Sequence, residues 1–407
     1  MTDETAEHID TAAQSYDFVV IGGGPSGATA AKYLAERGED VLLVDKEGRI
    51  KPCGGAIPTR AIRDFAIPAS QIKARANSAR IIGPKGDKIA MEIGDIGYVG
   101  MVDRDEFDPW LRERAKDSGA EYLAGSLSKI QHNADASITL TITGKGTGKH
   151  IIHTRMLIGA DGANSAVRRM TFAPSEKPPY VFAYHEIVKT PENISEDLFK
   201  EDRCDVIYNG DISPDFYGWV FPHGPCTSVG TGTAVKGHDM REATAKLRAA
   251  AGLDTCETIR EEGAPLPLKP MKRWDNGKNI ILAGDAAGVV APSSGEGIYY
   301  AMLTGELCGQ AACEALETGR AKALATARKK FMKEHGRVFF ILGLLQAIWY
   351  KSDKRRVQFV SMCADPDVQR LTWESYLNKR LVKREPMAHL RVLIKDIQQL
   401  LGMKKAA

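Results

Sequence analysis

The stretch that decides the fold runs from Tyr16 to Lys46 and reads YDFVVIGGGPSGATAAKYLAERGEDVLLVDK. An apolar run, Phe18 to Ile21, leads into a glycine-rich turn, after which alanines and Leu34 recur at helical spacing. A second apolar strand follows and ends on Asp45. The order of strand, tight turn, helix and strand predicts a βαβ unit of a parallel sheet.

The turn has the spacing Gly-x-Gly-x-x-Gly, which in this setting is typical of dinucleotide binding. The first glycine allows the turn, the second lets a pyrophosphate approach the backbone, and the third lets helix and strand pack closely. The N–H groups at the helix N-terminus then face the phosphates. An acid at the end of the second strand accepts hydrogen bonds from an unphosphorylated ribose, as in FAD or NAD. A purely structural turn is the alternative. We predict that the dinucleotide contacts Gly22, Gly24, Pro25, Ser26, Gly27, Asp45 and Lys46.

Composition narrows the class of protein. The 407 residues allow two or three domains, and the 43% hydrophobic content suits a folded globule. The net charge of +3, from 55 basic and 52 acidic residues, does not indicate a nucleic-acid binder. Seven cysteines without a CxxC pair favour reduced thiols in the cytoplasm, and no metal site is predicted. The polar first dozen residues do not resemble a secretory signal, and no apolar run reaches about 18 residues.

Further glycine-rich strand ends lie far from the first in sequence. One strand ends in Asp161-Gly162, and another ends in Gly284-Asp285. Gly295 and Gly297 then precede a long helix, whose N-terminus is suited to a phosphate or an electron-rich ring edge. We predict that these turns converge on one elongated cofactor.

Two features between these turns leave alternatives open. The loop Pro52-Cys53-Gly54-Gly55 is either a simple turn or a place where glycine lets main chain approach a flavin ring. Asp108 followed by Pro109 predicts a helix start, with proline in the first turn. Arg104, just before it, is either in an ordinary surface ion pair or in contact with a phosphate or ribose.

Two apolar segments also have two interpretations each. Tyr217, Trp219 and Phe221 alternate along a predicted strand and therefore share one face, either as core or as the wall of an apolar substrate pocket. The run 336–350 is apolar almost all round and has lysines and arginines on both sides. It is either a buried core helix or an interfacial element attracted to anionic lipid.

With these motifs identified, the chain resembles the geranylgeranyl reductase family, in the p-hydroxybenzoate hydroxylase type of flavoprotein fold and its chlorophyll and bacteriochlorophyll branch. PCGGAIP and YGWVFP are more specific to that family than the GxGxxG and GD segments, which many flavoproteins share. The matching segments are VVIGGGPSGATAAKYLA (19–35), KPCGGAIP (51–58), GMVDRDEFDPWLRERA (100–115), IGADGANSAVRR (158–169), YGWVFP (217–222), VGTGT (229–233) and LAGDAAGVVAPSSGEGIYYAM (282–302).

The resemblance implies an α/β fold. A Rossmann-like FAD-binding domain carries an inserted, mostly antiparallel β-sheet substrate domain and a C-terminal helical region. The boundaries that we predict are a disordered tail at 1–15, an FAD-binding domain at 16–60, 100–170 and 271–320, a substrate domain at 61–99 and 171–270, and a helical, membrane-associated region at 321–407.

The resemblance also implies roles by position. Gly22, Gly24, Gly27 and Asp45 hold the ADP half of FAD, and many relatives carry Glu where this chain has Asp45. Arg104 lies along the cofactor, and Asp161-Gly162 serves both FAD and NADPH in related hydroxylases. Gly284-Asp285 binds near the ribityl and pyrophosphate groups. The isoprenoid pocket beside the flavin is lined by Cys53, Gly54, Gly55, Tyr217, Trp219, Phe221 and Pro222.

The implied reaction is the stepwise saturation of a geranylgeranyl group to phytyl, on (bacterio)chlorophyll or on geranylgeranyl diphosphate. NADPH, or a ferredoxin in its place, reduces FAD, and the reduced flavin passes hydride to the alkene. An isolated alkene also needs a proton, for which Cys53 and Tyr217 are the candidate donors. The protein is then cytoplasmic and peripheral to the photosynthetic membrane. The alternatives are a flavin monooxygenase, a membrane quinone oxidoreductase and a non-catalytic isoprenoid escort.

Overall fold

A computed structural model describes residues 9–46, 48, 50–144 and 148–379. Over that range the chain forms 17 strands and nine α-helices. The strands are β1 (Ile9–Ile21), β2 (Val41–Asp45), β3 (Ala56–Pro58), β4 (Ala74–Ala76), β5 (Ser78–Ile82), β6 (Lys88–Glu92), β7 (Val99–Met101), β8 (Glu121–Ala124), β9 (Ser126–His132), β10 (Ile138–Gly144), β11 (Gly148–Gly159), β12 (Tyr180–Lys189), β13 (Arg203–Ile207), β14 (Gly218–His223), β15 (Cys226–Thr233), β16 (Thr258–Pro267) and β17 (Ile280–Leu282). The helices are α1 (Pro25–Ala35), α2 (Thr59–Asp64), α3 (Arg104–Asp117), α4 (Ala166–Thr171), α5 (Met240–Ala250), α6 (Ile298–Thr318), α7 (Ala325–Trp349), α8 (Asp353–Met362) and α9 (Pro366–Asn378).

The first sheet has the order β8-β2-β1-β11-β10-β9, and β17 pairs with β11. Strands β8, β2, β1, β11 and β17 pair in parallel, whereas β9 and β10 are antiparallel. Phe18, Val19 and Val20 are fully buried because helices cover this sheet, as parallel strands require. Helix α1 packs between α3 and α6. The motif 16–46 therefore forms the centre of the first sheet.

The second sheet has the order β16-β12-β15-β14-β13-β5-β6, and its pairs are antiparallel except for β13 with β5. The three-stranded sheet β3-β7-β4 lies at residues 56–101. The predicted α/β class, with a mostly antiparallel second sheet and C-terminal helices, is confirmed. The exact domain boundaries stay a prediction.

Two predictions about element starts are wrong. Helix α3 begins at Arg104 rather than at Asp108, so Pro109 lies inside the helix at the cost of one backbone hydrogen bond. Asp105 and Glu106 supply the acidic first turn that favours the earlier start. The disordered tail predicted at 1–15 is wrong for residues 9–15, because β1 already begins at Ile9 and pairs with β11. Residues 1–8 lie outside the described residues.

The C-terminal helices pack on the second sheet. Trp349, Tyr350 and Trp373 share a buried cluster with Tyr217 and Trp219 of the aromatic strand. The run 336–350 therefore contributes to the core on one side, although other apolar side chains of the same run are exposed. In the part of the chain described above, no helix is both long and apolar enough to cross a membrane. The remainder of the predicted helical region, residues 380–407, lies outside the described residues.

Candidate active site

A cleft opens at the carboxyl ends of β1, β2 and β11, the edge at which open α/β sheets bind ligands. Lys51, Arg169 and Ala301 line it, together with residues from both sides of the sheet. The structure brings ten of the predicted cofactor residues into this one cleft: Gly22, Gly24, Pro25, Ser26, Asp45, Lys46, Arg104, Asp161, Gly162 and Asp285.

The glycine turn explains why the cleft is there. Gly22 has a φ of 106°, and a Cβ on it would lie 2.4 Å from the carbonyl oxygen of Ala160 at the end of β11. A Cβ on Gly27 would lie 1.8 Å from the carbonyl oxygen of Gly22. Any side chain at either position would push the strand ends and α1 apart. Gly27 therefore serves packing and does not line the cleft.

Buried polar atoms in the cleft fit a phosphorylated cofactor. The hydroxyl of Ser26, in the first turn of α1, is buried without a hydrogen-bond partner and can donate to a phosphate oxygen. Oδ1 of Asp161 is also buried without a partner, and as an acceptor it suits a hydroxyl of the cofactor. No described side chain caps the N-terminus of α1. Backbone donors at a helix N-terminus bind phosphate groups well. The residues present thus fit the pyrophosphate of a dinucleotide.

Asp45 has an additional partner that the sequence does not reveal. Nη1 of Arg112, on α3, lies 3.2 Å from Oδ2 of Asp45 and also donates to the carbonyl of Gly23. Burial raises the pKa of Asp45, while the N–H of Gly23 and the charge of Arg112 oppose that shift. Arg112 therefore orients the carboxylate predicted to hold the ribose.

Arg104 lies in the cleft and is not in a surface ion pair. Its guanidinium donates to both carboxylate oxygens of Asp108, at 2.7 Å each, and both side chains are buried. Burial lowers the pKa of Arg104, but the charge and the hydrogen bonds of Asp108, together with the nearby Cys53, outweigh that effect and the pKa is raised. Cys53 therefore lies close enough to this guanidinium to act on its pKa. Arg104 thus connects the cleft to the loop at 52–55.

The GD turn reaches the same cleft. Gly284 has a φ of 60°, and a Cβ on it would lie 2.9 Å from Cβ of Ser26. Asp285 forms an ion pair with Lys51, which sequence analysis missed. A Cβ on Gly297 would lie 3.8 Å from Oδ1 of Asp285. The predicted convergence of distant glycine turns is present in the structure.

The loop at 52–55 meets the aromatic strand. A Cβ on Gly54 would lie 3.4 Å from the ring of Phe221 and 3.6 Å from Nε1 of Trp219. The ring centroids of Tyr217 and Trp219 are 6.1 Å apart, and those of Trp219 and Phe221 are 6.3 Å apart. Pro222 continues this strand opposite Thr227. The three rings form a continuous row against which the loop lies.

Tyr217 holds a second loop in place. Its hydroxyl donates to the carbonyl of Ser294 at 2.6 Å. A Cβ on the adjacent Gly295 would lie 3.4 Å from the Tyr217 oxygen. Burial raises the pKa of Tyr217 well above the ordinary tyrosine value. A phenol that is this weak an acid, with its hydrogen already donated, is a poor proton source.

Other groups behind these loops carry no motif in the sequence. Nε1 of Trp219 donates to the hydroxyl of Ser228 at 3.1 Å. His223 lies between the carboxylate of Asp103 and the carbonyl of Gly54. These contacts join elements that are far apart in sequence, so no local sequence pattern predicts them.

The opposite side of the site comes from the C-terminal helices. Tyr350 donates to the carbonyl of Ser293 at 3.2 Å, and Nζ of Lys379 lies 2.8 Å from Oε2 of Glu296 in a buried ion pair. Burial lowers the pKa of Lys379, and the charge of Glu296 opposes that shift. Among the residues that the structure describes, no group of three or more His, Cys, Asp or Glu could hold a metal ion.

Comparison with known proteins gives a consistent result. The family model described as "FAD binding domain" matches residues 15–330. The geranylgeranyl diphosphate reductase of Rhodobacter capsulatus is 51% identical over 389 residues, which are 95% of this chain and 98% of that protein. The enzyme of the same name from Synechocystis is 34% identical over 405 residues, or 94% of this chain and 97% of that protein.

A solved structure shares the fold. A geranylgeranyl bacteriochlorophyll reductase-like protein from Thermoplasma acidophilum has a TM-score of 0.74 at 21% identity, covering 96% of this chain and 99% of that one. The FAD-binding fold and the family predicted from the sequence motifs are confirmed.

Proposed function

Because the chain belongs to the geranylgeranyl reductase family of FAD-binding flavoproteins, we propose that it saturates three double bonds of a geranylgeranyl chain, leaving a phytyl chain for (bacterio)chlorophyll synthesis. The observation that carries this proposal is the meeting of the cofactor cleft, the Cys53 loop and the aromatic row at one place. A prenyl chain that lies along the rings would reach the cleft whose residues would hold FAD.

FAD fits the cleft, and this chain's own residues would hold it. The α1 N-terminus and Ser26 suit the pyrophosphate, and Asp45, oriented by Arg112, suits the adenosine ribose. Asp285 and Gly295 suit the flavin half of the cofactor. When bound, FAD supplies hydride chemistry. We propose NADPH as the reductant of FAD, with a ferredoxin as the alternative.

The protein's own contribution begins with a proton. Saturating an isolated alkene requires a proton at the carbon that does not receive hydride. We assign that proton to the thiol of Cys53, because Tyr217 already donates its hydrogen to Ser294. The guanidinium of Arg104, which lies near Cys53, would help to balance the thiolate left behind.

The aromatic row has two effects in this proposal. Trp219 is only 6% exposed and Tyr217 only 7%, so the row excludes water from the reacting carbons. Aromatic faces also attract the positive charge that develops as the proton arrives. Both effects favour protonation of the alkene over capture of the developing cation by water.

The deciding assay supplies the purified, FAD-loaded protein with NADPH under anaerobic conditions. Geranylgeranyl diphosphate and geranylgeranyl-bacteriochlorophyll are supplied in separate reactions, and the product masses are measured by mass spectrometry. We expect gains of hydrogen pairs in the prenyl chain, and the substrate that gains them identifies the carrier group. No gain on either substrate, with intact flavin and either NADPH or reduced ferredoxin present, would contradict the proposal.

We also propose that the protein works from the cytoplasm at the surface of the photosynthetic membrane. Helix α7 has one exposed face, along which basic residues precede an apolar patch and another lysine follows it. Phe340 is 73% exposed and Leu344 is 48% exposed. This arrangement suits anionic lipid headgroups around a shallowly inserted apolar patch. The α7 face consists of Lys329, Lys333, Arg337, Phe340, Leu344 and Ala347, and Lys351 follows the end of the helix.

Vesicle flotation tests the membrane proposal. We expect the double variant Phe340→Ser with Leu344→Ser to lose most of its flotation with vesicles rich in phosphatidylglycerol. Ile259→Ser is the matched control, because Ile259 is 55% exposed on β16, away from α7. Equal flotation of all three proteins would reject the α7 face as the contact.

A further inference from the structure

We propose that His223 is a positioning residue. With a hydrogen on each ring nitrogen, its imidazolium holds the Cys53-Gly54-Gly55 loop against the aromatic row. This inference rests on the proposed function for its catalytic meaning. It rests on geometry alone for the clamp. His223 follows the YGWVFP motif directly and belongs to no motif of its own.

The two hydrogen bonds of His223 determine where its hydrogens are. Nε2 lies 3.1 Å from the carbonyl oxygen of Gly54, which accepts only, so Nε2 carries a hydrogen. Nδ1 lies 2.6 Å from Oδ1 of Asp103. A carboxylate only accepts hydrogen bonds, so Nδ1 carries the hydrogen between them. Both ring nitrogens therefore donate, and His223 and Asp103 form an ion pair.

The clamp acts on a loop backbone that neighbouring residues already restrict. Gly55 has a φ of 70°, and a Cβ on it would lie 2.4 Å from Cε1 of His223, so the ring lies directly against this residue. The carbonyl of Gly55 accepts from the N–H of Val102 at 3.0 Å. Two successive carbonyls of the loop are thus held, one by the imidazolium and one by the backbone before α3.

The position of His223 in the fold links three elements. Residues 217, 219, 221 and 223 share one face of β14 and the residue before it, so the ring continues the aromatic row. Asp103 immediately precedes Arg104, whose guanidinium lies near Cys53. His223 is only 2% exposed, so water has little access to its ring nitrogens, whereas the Asp103 carboxylate is 23% exposed. One strand therefore carries the apolar wall together with the group that fixes the loop against it.

The first test needs no substrate. In the FAD-loaded protein, we measure the rate of Cys53 alkylation by iodoacetamide and identify the modified peptide by mass mapping. His223→Leu keeps the approximate volume but has no N–H donors, and we expect about tenfold faster alkylation as the loop loosens. His238→Leu is the matched control, because His238 also hydrogen-bonds a backbone carbonyl, that of Ile212, away from the loop. That variant should stay at the wild-type rate.

A conservative variant separates clamping from general loss of structure. His223→Gln retains one amide donor and should lie between wild type and His223→Leu, with an unchanged flavin spectrum. Histidine-selective ¹⁵N NMR of the wild type should show two N–H hydrogens on His223. Wild-type alkylation rates in both variants, or a His223 ring with a single hydrogen, would overturn the inference.

The second test links the clamp to catalysis. We reduce the FAD-loaded enzyme without oxygen, add the geranylgeranyl substrate and follow flavin reoxidation in a single turnover. His223→Leu should slow this step about tenfold in the presence of Cys53. It should have no further effect in a Cys53→Ser background, since residues that act together are not additive. If His223→Leu slows reoxidation by the same factor with and without Cys53, the positioning role is overturned. If the wild type is not reoxidised at all, the proposed function fails while the alkylation test still decides the clamp.

Discussion

Removing one hydroxyl should show which group protonates the alkene. Tyr217→Phe deletes the hydrogen bond to the Ser294 carbonyl, which contributes about 1 kcal/mol net. A 407-residue protein gains roughly 0.85 kcal/mol/K of entropy on unfolding, at about 2.1 cal/mol/K per residue, so the Tm should fall by about 1 °C. The rate of prenyl reduction should stay within about tenfold of wild type, because a loosened loop affects binding more than chemistry. Cys53→Ala, in contrast, should lower the rate about 10²- to 10⁴-fold, as expected for loss of a general acid.

The assay is single-turnover reoxidation of the reduced, FAD-loaded enzyme by substrate, with reduction of the flavin by dithionite measured separately. Flavin content and the rate of reduction should be unchanged in both variants, so a slower reoxidation reports the alkene step alone. Retained activity in Cys53→Ala together with an inactive Tyr217→Phe would refute the assignment and return the proton to Tyr217. Loss of flavin from either variant would refute the placement of these side chains on the substrate side.

Three further outcomes follow from the structure. Gly22→Ala places a Cβ at 2.4 Å from the Ala160 carbonyl and strains a φ of 106°, so the purified protein should lose its flavin absorbance, with affinity at least about 100-fold weaker. Burial raises the pKa of Asp161, so the wild type loses stability as the pH rises from the ordinary carboxyl value through the raised pKa. The Tm of Asp161→Asn relative to wild type should therefore increase along a pH series that starts near the ordinary carboxyl pKa and ends at neutral pH, and a pH-independent difference would contradict the argument. Ser228→Ala leaves the buried indole N–H of Trp219 without its acceptor, which costs about 1–3 kcal/mol. The KM for the prenyl substrate should rise severalfold with the flavin spectrum unchanged.

Local spacing was sufficient for the glycine turns. Gly22 and Gly27 follow rules that operate over six residues, and the strand before them and the helix after them are equally local. The alternation of Tyr217, Trp219 and Phe221 likewise follows from the two-residue period of a strand. The residues that determine these features are neighbours in sequence, so the sequence alone predicts both the features and the strand or turn that carries them.

The polar groups that orient the site could not be predicted in the same way. Lys51 meets Asp285 across 234 positions of sequence, and His223 meets Asp103 across 120. A lysine or histidine in a loop has no local signature that names its partner. The start of α3 at Arg104 has a different, local cause: the acidic first turn of Asp105 and Glu106 and the i,i+4 ion pair of Arg104 with Asp108 outweigh the preference of proline for a first turn.

The three strand-end glycines at 22, 162 and 284 lie 140 and 122 residues apart along the chain (22 to 162 and 162 to 284). During synthesis the first turn leaves the ribosome long before the strands that complete its pocket exist. Flavin loading is therefore a late event, which waits until β17 has been translated and has paired with β11. A nascent chain arrested before β17 would expose an incomplete cofactor site. Chaperones, and not the cofactor, would then have to protect that chain from aggregation.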